Sequence, residues 1–298
     1  MNNIDLSSFN DITIDDREIL NKIIQENNKV LCDFNFSNLY MWAEIFKIRW
    51  SMHKERLLLY SGLSDRLFMP VGEDFESSEI VQISDSFRAQ GKSGNLMFFE
   101  PDYIEKNREL SNHFRIEIDL DTADYIYFSK KLFELKGKKL HKKKNLISQF
   151  LRNNPGYIVK KMEKEFFEKC FVLSDKWCKY KNCDKIGFTH ENSALKRAFD
   201  KFSELELGGL TVFLKDKLAA FSIFSRQNKN MADVNFEKYD PEIKGCEQVI
   251  CWETAKYLMQ DYEYLNREED LGVEGLRQSK KSYEPAYLHS TYKLLRKS

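Results

Sequence analysis

The chain of 298 residues predicts an α/β (α+β) protein of two mixed-sheet domains in tandem. Its length suits two domains of roughly 150 residues each. Short apolar runs of strand character alternate with amphipathic, helix-like segments along the whole sequence. Near the middle, Asn153-Asn154-Pro155-Gly156 is a helix stop followed by a turn, which divides the chain into domains 1–153 and 154–298.

In the first half, Ile19, Leu20, Ile23 and Ile24 recur at helical spacing behind Asp15 and Asp16, so Ile14 to Asn27 reads as a helix. The aromatic segment from Phe34 to Trp42 reads as core packing or as one wall of a pocket. Ile45 to Met52, Arg56 to Ser61 and Arg66 to Val71 read as strands, Ser77 to Gln90 as a helix, and Asn95 to Phe99 as a strand. Pro101 can open a short helix, because a first-turn residue needs no N–H. Phe114 to Ile118 and Tyr125 to Phe128 read as two further strands.

Lys130 to Asn153 is the most polar block. Leu140, Leu146, Ile147, Phe150 and Leu151 keep helical spacing among Lys136, Lys138, Lys139, Lys142, Lys143 and Lys144, which predicts one basic amphipathic helix. Two readings stay open: a solvated interdomain helix, or a surface for phosphates. In the second half, Tyr157 to Lys161 reads as a strand, and Glu163 to Tyr180 and Glu191 to Phe202 as helices. Gly208 to Leu214 and Leu218 to Phe224 form a hairpin of strands through Lys215-Asp216-Lys217. Met231 to Phe236 is a strand, Glu247 to Tyr262 a helix, and Tyr264-Leu265 and Leu288 to Leu295 the last strands.

Lys+Arg and Asp+Glu are both 47, so no net field draws the molecule to polyanions, and any anion binding must be local. The N-terminus is polar and acidic, and no apolar run approaches the ~18–20 residues of a membrane span. The expectation is therefore a soluble, cytoplasmic protein. Cys170 and Cys178 share a helix face with Phe167, Phe171 and Trp177, which suits small buried thiols, and together with Cys183 they lack the short pairs of a zinc site. No metal is expected, since the five histidines show no ligand spacing, and the phosphate-loop, dinucleotide, nucleophile-elbow and zinc-protease motifs are absent.

The densest chemistry runs from Tyr264 to Tyr283. Arg267, Glu268, Glu269 and Asp270 are followed by Gly272, Glu274, Gly275, Arg277, Lys280 and Lys281. A solvated turn with local ion pairs is one reading. The run Asn266-Arg267-Glu268-Glu269-Asp270-Leu271-Gly272, continuing through Glu274-Gly275-Leu276-Arg277 to Lys280, Ser282, Tyr283 and Pro285, resembles a signature of a bacterial family. That family is related to the C-terminal domain of phosphatidylglycerol lysyltransferase. The block from Gly137 through Lys138, Lys139, Leu140, His141, Lys142, Lys143 and Lys144 to Asn145 carries the same resemblance, which extends over nearly the whole chain. It implies two GNAT-like acyltransferase domains, as in the Fem family of aminoacyl-tRNA-dependent transferases.

The expectation is a GNAT-fold transferase moving an acyl group, by the resemblance aminoacyl, to an amine or hydroxyl of a small molecule or peptide. The donor would be anionic, with aminoacyl-tRNA the candidate. The alternative is a non-catalytic protein that uses the same fold to hold RNA or another anionic ligand. Such transfer needs a proton acceptor and oxyanion donors in a dry cleft. Glu268 or Asp270 is the candidate acceptor. Arg267, Glu274, Arg277, Lys138, Lys139, His141, Lys142, Lys143 and Asn145 are candidates for binding substrate. Equally, the ions of residues 267–277 could clamp their loop to the lysine block. Coenzyme A is disfavoured, because the loop from Glu237 to Glu247 offers Gly245 alone and places Asp240, Glu242 and Glu247 where a pyrophosphate would sit.

Overall fold

The computed structural model describes residues 4–181 and 188–297. The chain forms two compact units, neither continuous in sequence. The first takes Met1–Lys29, Asp33–Ala123 and His289–Ser298, the second Val30–Cys32 and Asp124–Leu288. The break at Asn153–Gly156 lies inside the second unit.

In chain order the first half contains β1 (Asn10–Asp11), α1 (Arg17–Glu26), α2 (Phe36–Phe46), β2 (Ile48–His53), β3 (Arg56–Ser61), β4 (Arg66–Phe68), α3 (Ser77–Ala89), β5 (Asn95–Phe99), α4 (Pro101–Lys106) and β6 (Phe114–Phe128). Strands β1 to β4 pair antiparallel, β5 pairs parallel with β4 after the α3 crossover, and the last strand of the chain, β12 (Tyr287–Arg296), pairs antiparallel with β5. Leu58, Tyr60, Leu67, Ile83, Phe87 and Phe99 fill the core beneath. The aromatic segment is core as well: α2 is capped by Asn35, whose side chain accepts from Ser37 N and Asn38 N, and it buries Phe36, Leu39 and Met41.

The expected strand from Ile45 begins later, because α2 runs to Phe46 and stops at Lys47, a left-handed cap with φ 51°. The two strands expected between Phe114 and Phe128 are one. The run Asp119 to Thr122 lies within β6, with Leu120 and Asp121 exposed and Asp119 and Thr122 half-buried, and does not end it.

The second half contains α5 (Ser129–Glu134), α6 (His141–Asn153), β7 (Tyr157–Lys161), α7 (Phe167–Lys181), α8 (Phe188–Asp200), β8 (Gly208–Leu214), β9 (Lys217–Arg226), β10 (Met231–Tyr239), α9 (Cys246–Leu258), β11 (Tyr264–Asn266) and α10 (Glu274–Lys281). Strands β7 to β10 pair antiparallel, β11 pairs parallel with β10 after the α9 crossover, and the end of β6 pairs antiparallel with β11. Both units therefore carry an antiparallel meander, a helical crossover, a parallel strand and an antiparallel closing strand. In each, the closing strand comes from a distant part of the chain, which no linear boundary at 153/154 can express. This is the α/β, mixed-sheet class expected.

The basic block is two helices. Leu135, at φ 46°, ends α5, and Gly137, at φ 109°, turns the chain before α6 starts at His141. Lys136, Lys138 and Lys139 therefore sit on a turn. Residues 274–281, which read as a charged loop, form α10 with Gly275 inside it, while Gly272, at φ 69°, makes the turn. Cys170 is buried on α7 and Cys178 half-buried, and Cys183 lies outside the described residues. Among the described residues no helix is long and apolar enough to cross a membrane.

Candidate functional site

The parallel ladder between β10 and β11 is short. It pairs Met231 with Tyr264, Ala232 with Leu265 and Asp233 with Asn266, and ends there, while β10 continues to Tyr239. Asn266 turns the departing chain: its Oδ1 accepts from Glu268 N at 2.7 Å, and its Nδ2 donates to Val30 O at 3.1 Å and Asp124 Oδ2 at 2.5 Å. Glu268 and Leu271 then adopt φ values of 56° and 52°, a region that costs side-chain-bearing residues energy.

Two buried devices over-determine this turn. The Lys280 ammonium donates to the carbonyls of Arg267, Glu268 (3.0 Å) and Glu269 (2.6 Å). A single cation thus gathers three successive acceptors, all that an ammonium can serve. Asp270, fully buried, accepts from Arg277 Nε at 2.8 Å and Nη2 at 2.9 Å, from Tyr125 Oη at 2.6 Å and from Gly272 N at 2.9 Å. Burial alone would raise the Asp270 pKa, but these hydrogen bonds more than reverse it.

Arg267 turns the other way, into the space beyond the ladder. Its Nη2 donates to Glu237 Oε1 at 2.8 Å, with side chains 13% and 14% exposed. The guanidinium lies 5.7 Å from the Tyr127 ring and 5.0 Å from the Tyr283 ring. Its Nη1 is buried without an acceptor among the described residues, as is the Tyr283 hydroxyl. The Lys143 ammonium rests 4.1 Å from the Tyr283 ring. Glu247, in the first turn of α9, accepts from Ser279 Oγ at 3.2 Å and lies in the electrostatic neighbourhood of Glu237, Lys143 and Tyr283. Burial pushes the Glu237 pKa up, despite Arg267, and pushes Lys143 down. Two cations, two carboxylates and two unpartnered donors therefore share one largely buried cluster.

A second cluster backs the same turn. Cys32 N donates to Asp124 Oδ2 at 2.7 Å, and Cys32 Sγ lies 3.3 Å from Asp124 Oδ1 and 3.4 Å from Glu269 Oε2. These three ligand atoms lie within 4.8 Å of one another, a donor set that could hold a divalent cation. Burial and the adjacent Glu269 push the Asp124 pKa up to about 6. Glu268 belongs here rather than with Arg267. Its Oε1 is buried without a partner among the described residues, and burial together with Asp233 and Glu269 raises its pKa well above the carboxylate range.

Of the residues singled out from sequence, Arg267 and Lys143 come together. Glu268 and Asp270 face different partners on either side of the turn. Arg277 serves Asp270, and Glu274 is exposed, accepting from Gln278 at 2.9 Å. Lys138, Lys139, His141, Lys142 and Asn145 are exposed, with Asn145 Nδ2 3.2 Å from His141 Nδ1 and Lys139 3.2 Å from Glu284. The loop is clamped by Lys280 and Arg277, from α10, not by the lysine block. Glu237 and Tyr283 escaped the sequence reading of the site; Glu237 lies in β10 just past Phe236, where the strand was expected to stop, and Tyr283 carried a signal only as part of a motif. A recess of about 460 Å³ lined by Phe128, Lys131, Met259 and Tyr262 shares no residue with either cluster.

A family model described as phosphatidylglycerol lysyltransferase, C-terminal, matches residues 26–294. A protein of unknown function from Bacteroides thetaiotaomicron is 30% identical, with a TM-score of 0.89 over 97% of this chain and 99% of that one. The structure of L-PGS from Bacillus licheniformis aligns at 15% identity and a TM-score of 0.62 over 94% and 92% of the two chains. FemX aligns at 8% identity and a TM-score of 0.61 over 94% and 96%, a likeness of fold. No curated protein matches the chain.

Proposed function

The chain belongs to the phosphatidylglycerol lysyltransferase C-terminal family, and from that membership we propose that it transfers an aminoacyl group from aminoacyl-tRNA to an amine or hydroxyl acceptor. One observation carries the reading. Beyond the end of the β10–β11 ladder lies a largely buried Arg267–Glu237 pair bordered by Lys143, Glu247 and Tyr283. A site of this kind can bind an ammonium through its carboxylates and polarise an acyl carbonyl through its cations.

In this reading Arg267 and Lys143 orient the acyl ester, Glu237 fixes the guanidinium, and Glu247 accepts the proton of the attacking group. Asp270, Arg277 and Lys280 position the loop. The exposed Lys138, Lys139 and Lys142, with His141 and Asn145 beside them, carry the phosphate backbone of the donor.

The test has two parts. Purified protein is incubated with a panel of charged tRNAs and candidate amine and hydroxyl acceptors, and transfer of labelled amino acid is followed. In parallel, tRNA affinity is measured from 50 to 200 mM salt for the wild type and for a Lys138→Ala/Lys139→Ala/Lys142→Ala variant. The variant should bind more weakly, with a log–log salt slope shallower by about 2–3, since each phosphate contact releases counterions. Equal affinity and slope would remove the tRNA assignment, while binding without transfer by any charged tRNA would favour the non-catalytic alternative.

A further inference from the structure

We infer that Tyr283, with the second guanidinium nitrogen of Arg267, supplies the donors for the oxyanion formed during acyl transfer, a role that rests on the transferase reading above. Tyr283 is 2% exposed, and its hydroxyl has no hydrogen-bond partner among the described residues. Arg267 Nη1 is buried and unpartnered in the same cluster, while its Nη2 is fixed on Glu237. The guanidinium carbon lies 5.0 Å from the Tyr283 ring. A buried donor left unpaired keeps its full desolvation penalty, so two in one cluster are an unfavourable arrangement unless a ligand oxygen completes them.

The surroundings hold Tyr283 in place. Its backbone N–H donates to Lys280 O at 3.1 Å in the turn that closes α10, and Tyr127 Oη donates to the same carbonyl at 2.8 Å. Two cations, Arg267 and Lys143, rest on its ring. Burial, with the nearby Cys251 and Glu247, raises the Tyr283 pKa, so the hydroxyl keeps its proton and can only donate or accept as a neutral group.

The step balances as follows. The acceptor's amine or hydroxyl attacks the acyl carbon and forms a new C–N or C–O bond, while its proton passes to a carboxylate. The carbonyl π electrons move to oxygen, and that oxyanion receives the Tyr283 O–H and the Arg267 Nη1–H. When the tetrahedral species collapses, the C–O bond to the ribose breaks, and the ribose oxygen leaves with the proton. Donors aimed at the oxyanion are stronger in the transition state than in the ground state, so they act on kcat rather than on KM.

Tyr283→Phe and Arg267→Lys are the test variants; the second keeps a cation opposite Glu237 but lacks the second guanidinium nitrogen. With a charged tRNA the wild type turns over, Tyr283→Phe should lower kcat by about 10²–10³-fold while KM stays within about threefold. Its melting temperature should be unchanged or higher, since it loses an unpaired buried hydroxyl. Binding is measured separately by calorimetry with tetrahedral probes, the monomethyl esters of 1-aminoethyl- and 1,5-diaminopentylphosphonic acid, and with planar ones, alaninamide and lysinamide. The wild type should prefer the tetrahedral probe of at least one pair by tenfold or more, and both variants should lose that preference. A wild type that shows no preference, a Tyr283→Phe variant that keeps wild-type kcat or the preference, or one that melts several degrees lower overturns the assignment. Absence of transfer with every charged tRNA, with the tetrahedral preference intact, would instead count against the proposed donor.

Discussion

Arg267 and Glu237 are 30 residues apart in sequence and share a 2.8 Å ion pair beyond the last register pair of β10 and β11. Each side chain is less than one-sixth exposed. The pair therefore closes the gap that the diverging chain would leave, and replaces apolar packing there with charge. Such pairs are costly to desolvate and seldom add net stability. Their presence at the end of a parallel ladder points to a use other than holding the strands together.

Removing one partner should be far worse than removing both. Arg267→Ala should destabilise the protein by about 3–5 kcal/mol, because Glu237 is left buried and uncompensated. The Arg267→Met/Glu237→Leu double variant should recover most of that loss while abolishing transfer. Urea denaturation of Arg267→Met, Glu237→Leu and the double closes the cycle. A single substitution costing less than about 1 kcal/mol would mean that water reaches the pair.

Much of the fold was legible because strand and helix periods are local. Asn95–Phe99, Tyr157–Lys161 and Gly208–Leu214 lie where alternation and apolar runs put them. The exchange of closing strands was not legible, since nothing in Tyr287–Arg296 says that it pairs with Asn95–Phe99 nearly two hundred residues earlier. In the site, charge density marked the Arg267 to Arg277 loop, but sequence order could not tell that Arg267 and Glu268 point into different clusters. Adjacent side chains on a tight turn diverge, and only packing decides which partner each meets. Lys280 was visible as a basic residue, yet its donation to three carbonyls depends on α10, whose glycine made it read as a loop.

Asp270 gives an acid-limb prediction. Its folded pKa lies below the unfolded value of about 3.9, so its stabilisation is present above that pH and is lost as pH falls through the folded value. Asp270→Asn should melt lower than the wild type at pH 7, and the difference should shrink below about pH 4. Calorimetric melting at pH 7, 4 and 3 measures it. A difference that stays constant with pH would mean that the carboxylate contributes shape and not charge.

Asp124 gives the opposite sign. Burial and Glu269 raise its pKa to about 6, so the folded chain holds this proton more tightly than the unfolded one. Stability should therefore fall as pH rises from about 4 to about 6, a window above that of Asp270. Asp124→Asn keeps an oxygen to accept from Cys32 N or Asn266 Nδ2 and should flatten that slope, becoming at least as stable as the wild type at pH 7. Denaturation midpoints at pH 4.5, 6 and 7.5 decide it. An unchanged slope in the variant would mean that the proton taken up in this window is not carried by Asp124.

Coenzyme A should not bind at the start of α9. Cradling a pyrophosphate requires free backbone N–H groups at a helix N-terminus. In the loop ahead of α9 four such donors are already used: Asp240 N donates to Ala219 O at 2.7 Å, Ile243 N to Asp240 O at 3.1 Å, Glu242 N to Asp240 Oδ1 at 3.1 Å, and Cys246 N to Ile243 O at 3.2 Å. Asp240 is itself locked by Lys176 at 2.8 Å and Lys217 at 2.6 Å, so these lysines are occupied too. Gly245 is present for another reason. At φ 84° it lies against α6, where an added Cβ would come within 2.6 Å of the Leu146 carbonyl and 3.2 Å of Phe150 Cβ. That contact sets the start of α9 directly against α6. Calorimetry with coenzyme A and acetyl-coenzyme A should show no binding, or millimolar binding at best. Gly245→Ala should lower the melting temperature through strain and the clash with α6, without altering any nucleotide affinity. Micromolar binding of either compound, lost in Gly245→Ala under conditions where the variant is folded, would overturn this and make a coenzyme A-dependent acyltransferase the better description.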